Sequence, residues 1–418
     1  MYQKTYAAAI RKIAVLGLLV FLGACASKPE PGPIPVRLSN FADIKGFEDV
    51  RYMGDTFSIT VLNDLNLQER QRKKQPGYNP KINRKHLLLS GGMGQVAYGA
   101  GLTAGWSMRK GGRPKFEIIT GVSAGAMLAP FLFLGPQYDK SFYDALSSKQ
   151  TDQLFKFSTR KLLSGAPAIA SPKKLRTLIN ENLSDAMVHD IGKEYFKGRR
   201  LYVGTTNMDT QRPVIWDITK IAASANPNAP ALVRKVILAS ASIPAAFPPV
   251  EFTVKVEGSR NGKTDTYYVE HHADGGIANG VFYHPGGLGT LSMPQVQPYL
   301  NNIDLFIIIN GRALPVPEEL DSSALSLATR SLRLMLRAQT MKDIRLLHAA
   351  LAPGDNTFRL TYLPREFNAK SQGLFDLSYM RKLYRYAYDR GRAADFWLSA
   401  PPTDAFELIR QDRTVRME

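Results

Sequence analysis

The sequence predicts an α/β protein built on a layered sheet, and three observations carry that prediction. Apolar runs at 86–90, 116–120, 200–206 and 304–310 read as strands buried on both faces. Stretches of helical periodicity fall between them, the pattern of strand and helix in alternation. At one strand–helix junction stands Gly121-Val122-Ser123-Ala124-Gly125, a G-x-S-x-G turn in the setting a nucleophile elbow requires. With 418 residues, 44% of them apolar, the chain can bury one large core with additions. Charged residues make up 22%, close to the globular average, which excludes wholesale disorder.

The first 24 residues read as a targeting signal. Lys4, Arg11 and Lys12 form a positive n-region, and residues 13–22 are an apolar h-region too short to span a bilayer. Leu22-Gly23-Ala24-Cys25 then resembles the lipobox of bacterial lipoproteins, which implies that Cys25 is acylated and becomes the first mature residue. Cys25 is also the only cysteine, so an internal disulfide is excluded. Residues 26–36 are proline-rich and read as a tether. Ala26-Ser27 after the cysteine fits, by the same resemblance, an exported protein on the outer membrane facing the periplasm rather than one kept on the inner membrane.

Residues 25–85 form the tether and an accessory segment, in which 57–62 predicts a strand and the charged run 68–75 a solvated linker. The periodic core spans 86–312. Its first strand, 86–90, leads through the tight loop Gly91-Gly92-Met93-Gly94 into a helix over 97–106. Small residues at 97, 100, 101, 104 and 105 give that helix a narrow face suited to close approach to the sheet. The strand 116–120 and the elbow helix follow, then helical and loop material over 149–194. Strands are predicted at 200–206, 214–216 and 235–239, a hairpin joins 250–256 to 266–270, and 304–310 is a central strand. The remainder, 313–418, is a mainly helical extension packed on the core, with helices over 322–351 and 377–397 and a strand at 357–362.

The chemistry concentrates in three places. At the elbow, Ser123 must sit in strained backbone, and Gly121 and Gly125 supply the missing bulk on either side. The loop Gly91-Gly92-Met93-Gly94 follows a strand and opens a helix, so its amides converge near the elbow and suit a developing oxyanion. Gly92 to Ala97 also satisfies G-x-G-x-x-A, but a dinucleotide site wants an acidic residue at the end of the second strand, which here ends in Thr120-Gly121. Asp274-Gly275-Gly276, 151 residues after Ser123, puts a carboxylate just past a strand end in a turn.

Taken together, these segments resemble the patatin-like phospholipase family. The resemblance runs from His86 to about Pro285 and covers LLLSGGMGQVAYGAGL, GVSAG, TTNMDTQRPVIW, ASASIPAAFPPV and DGGIANG, five segments in order. It implies an αβα sandwich with a mostly parallel central sheet. It also implies a Ser–Asp dyad without histidine, Ser123 being the nucleophile and Asp274 its base. Amides around Gly91, Gly92, Met93 and Gly94 would form the oxyanion hole, and Gly275 and Gly276 belong to the DGG motif. The implied activity is hydrolysis of acyl esters of glycerophospholipids or lysophospholipids, with no metal and no cofactor. This chain departs from the family in one loop: Met93 stands for a glycine, Gln95 for a basic residue and Val96 for a further glycine.

Two alternatives stand beside this expectation. A Ser–His–Asp triad would draw on His272, two residues before Asp274. A non-catalytic lipoprotein would use the same basic surface for binding or scaffolding. The net charge of +18 falls to +15 when Lys4, Arg11 and Lys12 are set aside. For an exported chain, the partner that balance points to is an anionic phospholipid membrane and not nucleic acid.

Overall fold

A computed structural model describes residues 31–148, 151, 172–244, 246–258, 264–284, 290–317, 324–371, 373, 375–393 and 396–402. In chain order the N-terminal part holds β1 (Ala42–Ile44), β2 (Arg51–Met53) and α1 (Ile59–Lys73). Then come β3 (Arg84–Leu89), α2 (Val96–Ser107), β4 (Ile118–Val122), α3 (Ala124–Leu134), α4 (Asp139–Ser147), α5 (Pro172–Asn182) and α6 (Asp185–Tyr195). They are followed by β5 (Arg200–Asn207), β6 (Arg212–Asp217), α7 (Ile218–Ala223), α8 (Ala229–Ser240), β7 (Val250–Val256) and β8 (Thr266–Asp274). The chain continues with β9 (Ile303–Ile309), α9 (Ala324–Leu351), β10 (Thr357–Tyr362) and α10 (Leu377–Arg392).

The strands form one sheet in the order β1-β7-β8-β5-β4-β3-β9-β10, with β6 paired to β5 and β2 to β6. From β5 to β10 every neighbour is parallel. The outer pairs β1–β7, β7–β8, β8–β5, β5–β6 and β6–β2 are antiparallel. Every residue of β4 and β5 is buried, β4 as a near-continuous apolar run and β5 with the polar Arg200, Thr205, Thr206 and Asn207 among its buried residues. Helices cover the sheet, and strands from both ends of the chain enlarge it: β1 and β2 from the N-terminal segment, β10 from the C-terminal one.

Several expectations are overturned. Residues 57–62 are not a strand: Ser58 caps α1, its side chain accepting the Thr60 N–H at 3.2 Å. The β-branched run Ile59-Thr60-Val61 favours a strand locally, but Val61, Leu65 and Gln68 are buried at helical spacing. The charged run 68–75 is therefore the end of a packed helix, with Gln68 donating to Gly198 O at 3.0 Å. The expected strand 235–239 lies inside α8, whose Pro230 in the first turn was the signal that an all-round apolar pattern hid. The proline-rich tether is partly docked: Pro33 bridges Val269, and Ile34 is buried. The last helix ends at Arg392, not 397, and Trp397 packs against Trp106 and Phe306.

The narrow face of α2 meets a helix, not the sheet. A β-carbon on Gly101 would stand 2.2 Å from Tyr384 O, and one on Gly105 2.0 Å from Tyr388 O, both on α10. The absence of side chains there lets two helix backbones touch. The turn of the expected hairpin (259–262), the signal segment and Cys25 lie outside the described residues, as does most of 149–171.

Candidate active site

Ser123 is the hinge between β4 and α3. It holds φ 55° and ψ −129°, a conformation an L-residue adopts only under constraint. That constraint is visible on both sides. A β-carbon on Gly125 would stand 2.5 Å from Ser90 O, and one on Gly121 2.7 Å from Gly125 O. The Ser123 N–H donates to Ser240 Oγ at 3.0 Å, and Ser240 Oγ donates in turn to Gly204 O at 2.7 Å. The side chain is thereby presented at the carboxyl edge of the parallel strands, over the positive end of α3.

Asp274 closes β8, opposite Thr205 of β5. Its Oδ1 accepts the Gly276 N–H at 2.7 Å. Oδ2 is buried and has no partner at full hydrogen-bond geometry. Burial pushes the carboxyl up to about 6, opposed first by the Ser123 hydroxyl and then by the Gly276 amide.

The glycine loop lies against the serine: a β-carbon on Gly91 would be 2.9 Å from Ser123 Cβ. Among the described residues nothing accepts the backbone N–H groups of Gly91, Gly92 or Met93. Met93 takes φ 52°, a second strained non-glycine beside Ser123, and Gly94 is buried in the short turn that opens α2. The loop is held from below by Asn310. Its Nδ2 donates to Ser90 O at 2.8 Å, its Oδ1 accepts the Gly99 N–H at 3.1 Å, and its own N–H donates to Ser90 Oγ at 2.8 Å. Gln95 makes only a 3.5 Å contact to the Tyr379 hydroxyl. Ser123, Asp274, Gly91, Gly92, Met93 and Gly276 all line one cavity of about 300 Å³, open on one side.

His272 shares the strand with Asp274, but its ring is committed elsewhere. Nδ1 pairs with Thr205 Oγ1 at 2.9 Å and Nε2 with Glu270 Oε2 at 2.9 Å. Glu270 is ion-paired with Arg51, and all of these side chains are buried. Desolvation lowers the proton affinity of His272, against the raising pull of Glu270. Neither ring nitrogen is left for Ser123. His86 and His284 are likewise buried against tyrosine hydroxyls. Among the described residues no cluster of three or more His, Cys, Asp or Glu could hold a metal ion.

Three positioning residues escaped the sequence: Asn310, Ser240 and Asp343. Asn310 carried one usable signal, a lone amide ending an apolar strand at its carboxyl edge. Asp343 Oδ2 accepts the Gly280 N–H at 2.7 Å and so ties α9 to the loop that follows Asp274.

An αβα sandwich with a mostly parallel centre and a serine elbow at its carboxyl edge defines the patatin fold. Residues 87–285 match the family model Patatin, described as patatin-like phospholipase. No curated protein matches the chain. Among solved structures it is similar to VipD from Legionella pneumophila, at 12% identity and a TM-score of 0.33, over 74% of this chain and 66% of that one. It is also similar to human GIVD cytosolic phospholipase A2, at 9% identity and a TM-score of 0.32, over 68% of this chain and 51% of that one. The chain thus spans less than two thirds of either protein.

Proposed function

We propose that this protein is a membrane-anchored serine acyl hydrolase acting on acyl esters of glycerophospholipids or lysophospholipids. The patatin-like phospholipase domain supports lipid acyl hydrolysis in general. The observation that carries the finer reading is the buried Asp274 carboxyl, pushed up to about 6 beside a strained Ser123, with His272 engaged elsewhere.

In this mechanism Ser123 Oγ attacks the ester carbonyl while Asp274 takes its proton. The carbonyl oxygen gains charge and is met by the amides of Gly91, Gly92 and Met93, donors that need no reorganisation. Collapse breaks the ester C–O bond, and Asp274 returns the proton to the departing alcohol. A water molecule, deprotonated by Asp274, then attacks the acyl-serine; the acyl–Oγ bond breaks, the fatty acid leaves and Asp274 returns the proton to Ser123 Oγ. Lipid on Cys25 would hold the enzyme at a bacterial membrane, outer membrane facing the periplasm. The test is release of fatty acid from a panel of phospholipids and lysophospholipids by the mature chain and its Ser123→Ala variant. Hydrolysis that survives Ser123→Ala, or none on any lipid, overturns the proposal.

A further inference from the structure

Helix α9 lies outside the matched domain, and its two halves differ. In the C-terminal half Met341, Ile344, Leu347 and Leu351 are buried in a core cluster with Leu88 and Ile307. Stepping back by three and four residues, the same stripe runs through Arg337, Arg333 and Arg330. These three arginines line the cavity that contains Ser123 and Asp274. A helix that packs with an apolar stripe at one end thus roofs the site with guanidinium groups at the other.

Beside those arginines, three apolar side chains of the same N-terminal half are exposed; Leu334 follows Arg330 by four residues, precedes Arg337 by three and lines the same cavity. Leu327 is 42% exposed, Leu334 47% and Met335 68%. Leu327 and Leu334 are seven residues apart and share a face. From 324 to 342 the helix carries Arg330, Arg333, Arg337 and Lys342 and no acidic residue. Apolar side chains outward, flanked by cations, are the composition of a helix that lies in a headgroup layer. The helix is also fixed in place. Besides the Asp343–Gly280 bond, Gln339 Nε2 donates to Ala278 O at 3.1 Å, and a β-carbon on Gly280 would stand 2.0 Å from Thr340 Oγ1.

We propose that the N-terminal half of α9 is the docking surface of this site for a bilayer of anionic phospholipid. Leu327, Leu334 and Met335 enter the headgroup layer, and the arginine-lined mouth faces the phosphates. Charge complementarity selects the occupant: a cationic roof with exposed apolar tips fits an anionic lipid surface and disfavours a basic protein or a neutral aqueous one. The inference rests on the lipid-hydrolase reading for its purpose but is tested apart from it.

The single cysteine makes the test direct. In the full chain carrying Cys25→Ser, Met335→Cys is labelled with an environment-sensitive fluorophore and mixed with phosphatidylglycerol or phosphatidylcholine vesicles. The control label goes on Met108→Cys, equally exposed at 68% but at the far end of α2, on the opposite edge of the sheet. The expected result is a blue shift and a several-fold rise in emission at 335 with phosphatidylglycerol vesicles, weakened by salt, and little change at 108. Equal responses at both positions, or no response at 335, overturn the proposal. A response at 335 that grows with protein concentration without vesicles overturns it in favour of a second copy of the chain. Hydrolysis of a soluble short-chain ester by the unlabelled chain, lost in Ser123→Ala, is measured separately: its absence would sink the hydrolase reading while leaving the vesicle result standing.

Discussion

The carbonyl oxygen of Asn310 stands 1.8 Å from the place a β-carbon on Gly92 would occupy. The glycine loop is therefore pressed onto the end of β9, and Asn310 ties it there through Ser90 before it and Gly99 after it. Gly92→Ala must displace one of the two, and Gly92→Pro removes an amide as well. Loss of one oxyanion donor costs about 3 kcal/mol of transition-state stabilisation. The expected outcome is a kcat lowered by two orders of magnitude or so in Gly92→Pro, with Gln95→Ala mild because that side chain makes only a marginal contact. Steady-state kinetics on folded variants checks this, and equal losses in the two variants would contradict the loop's assignment.

In the proposed dyad, Asp274 as the base sets the pH profile. With its carboxyl pushed up to about 6, Asp274 is protonated and idle below that pH. kcat/KM should rise with pH through about 6 and level off above it. The linkage has the opposite sign for folding. The native carboxyl holds its proton more tightly than the unfolded chain, so between 3.8 and about 6 its contribution to stability falls as pH rises. Asp274→Asn should therefore abolish turnover without lowering Tm at pH 8. A variant that keeps its activity would refute the dyad.

His272 separates dyad from triad. It is buried between Thr205 and the Glu270–Arg51 pair. Its replacement breaks a charged hydrogen bond in the core, worth about 2 kcal/mol. His272→Gln should lower Tm yet retain most of kcat in the folded fraction. A folded His272→Gln as inactive as Ser123→Ala would restore the triad.

Where α2 and α10 touch, there is no room for a methyl group. Gly101→Ala and Gly105→Ala would each place a β-carbon within about 2.2 Å of a carbonyl oxygen on α10. Overpacking of this kind costs about 1–3 kcal/mol. Each variant should melt several degrees lower, with the double variant worse than either; unchanged melting temperatures would show that the helices part freely.

The proposed anchoring turns on one atom, the Cys25 sulfur. Cys25→Ala should block signal processing and release the protein from the membrane fraction, except for whatever binding α9 supplies. Unchanged fractionation and precursor length on a gel would refute lipidation.

Much of the domain was legible in the sequence because its signals are local. A strand buried on both faces carries a run of apolar residues, so β3, β4, β5 and β9 announced themselves by runs such as Leu87–Leu89 and Leu305–Ile309. The elbow did too, because a strained serine between two backbones leaves room only for Gly121 and Gly125. Local signals failed where two readings of one segment differ little in free energy. Ile59-Thr60-Val61 suits a strand, and 235–239 is apolar on every side; burial against neighbours far along the chain made both helical. The same limit applied to side-chain partners. Asn310 reaches Ser90 across 220 residues, and His272 is withdrawn from the serine by Thr205 and by Glu270, which itself pairs with Arg51. Sequence alone determined the central strands and the elbow turn, since those follow from backbone sterics and period. Which helix fills the narrow face of α2, which histidine is spent in the core and which arginines roof the cavity were decided only in the tertiary structure, because each depends on contacts between residues that no local pattern brings together.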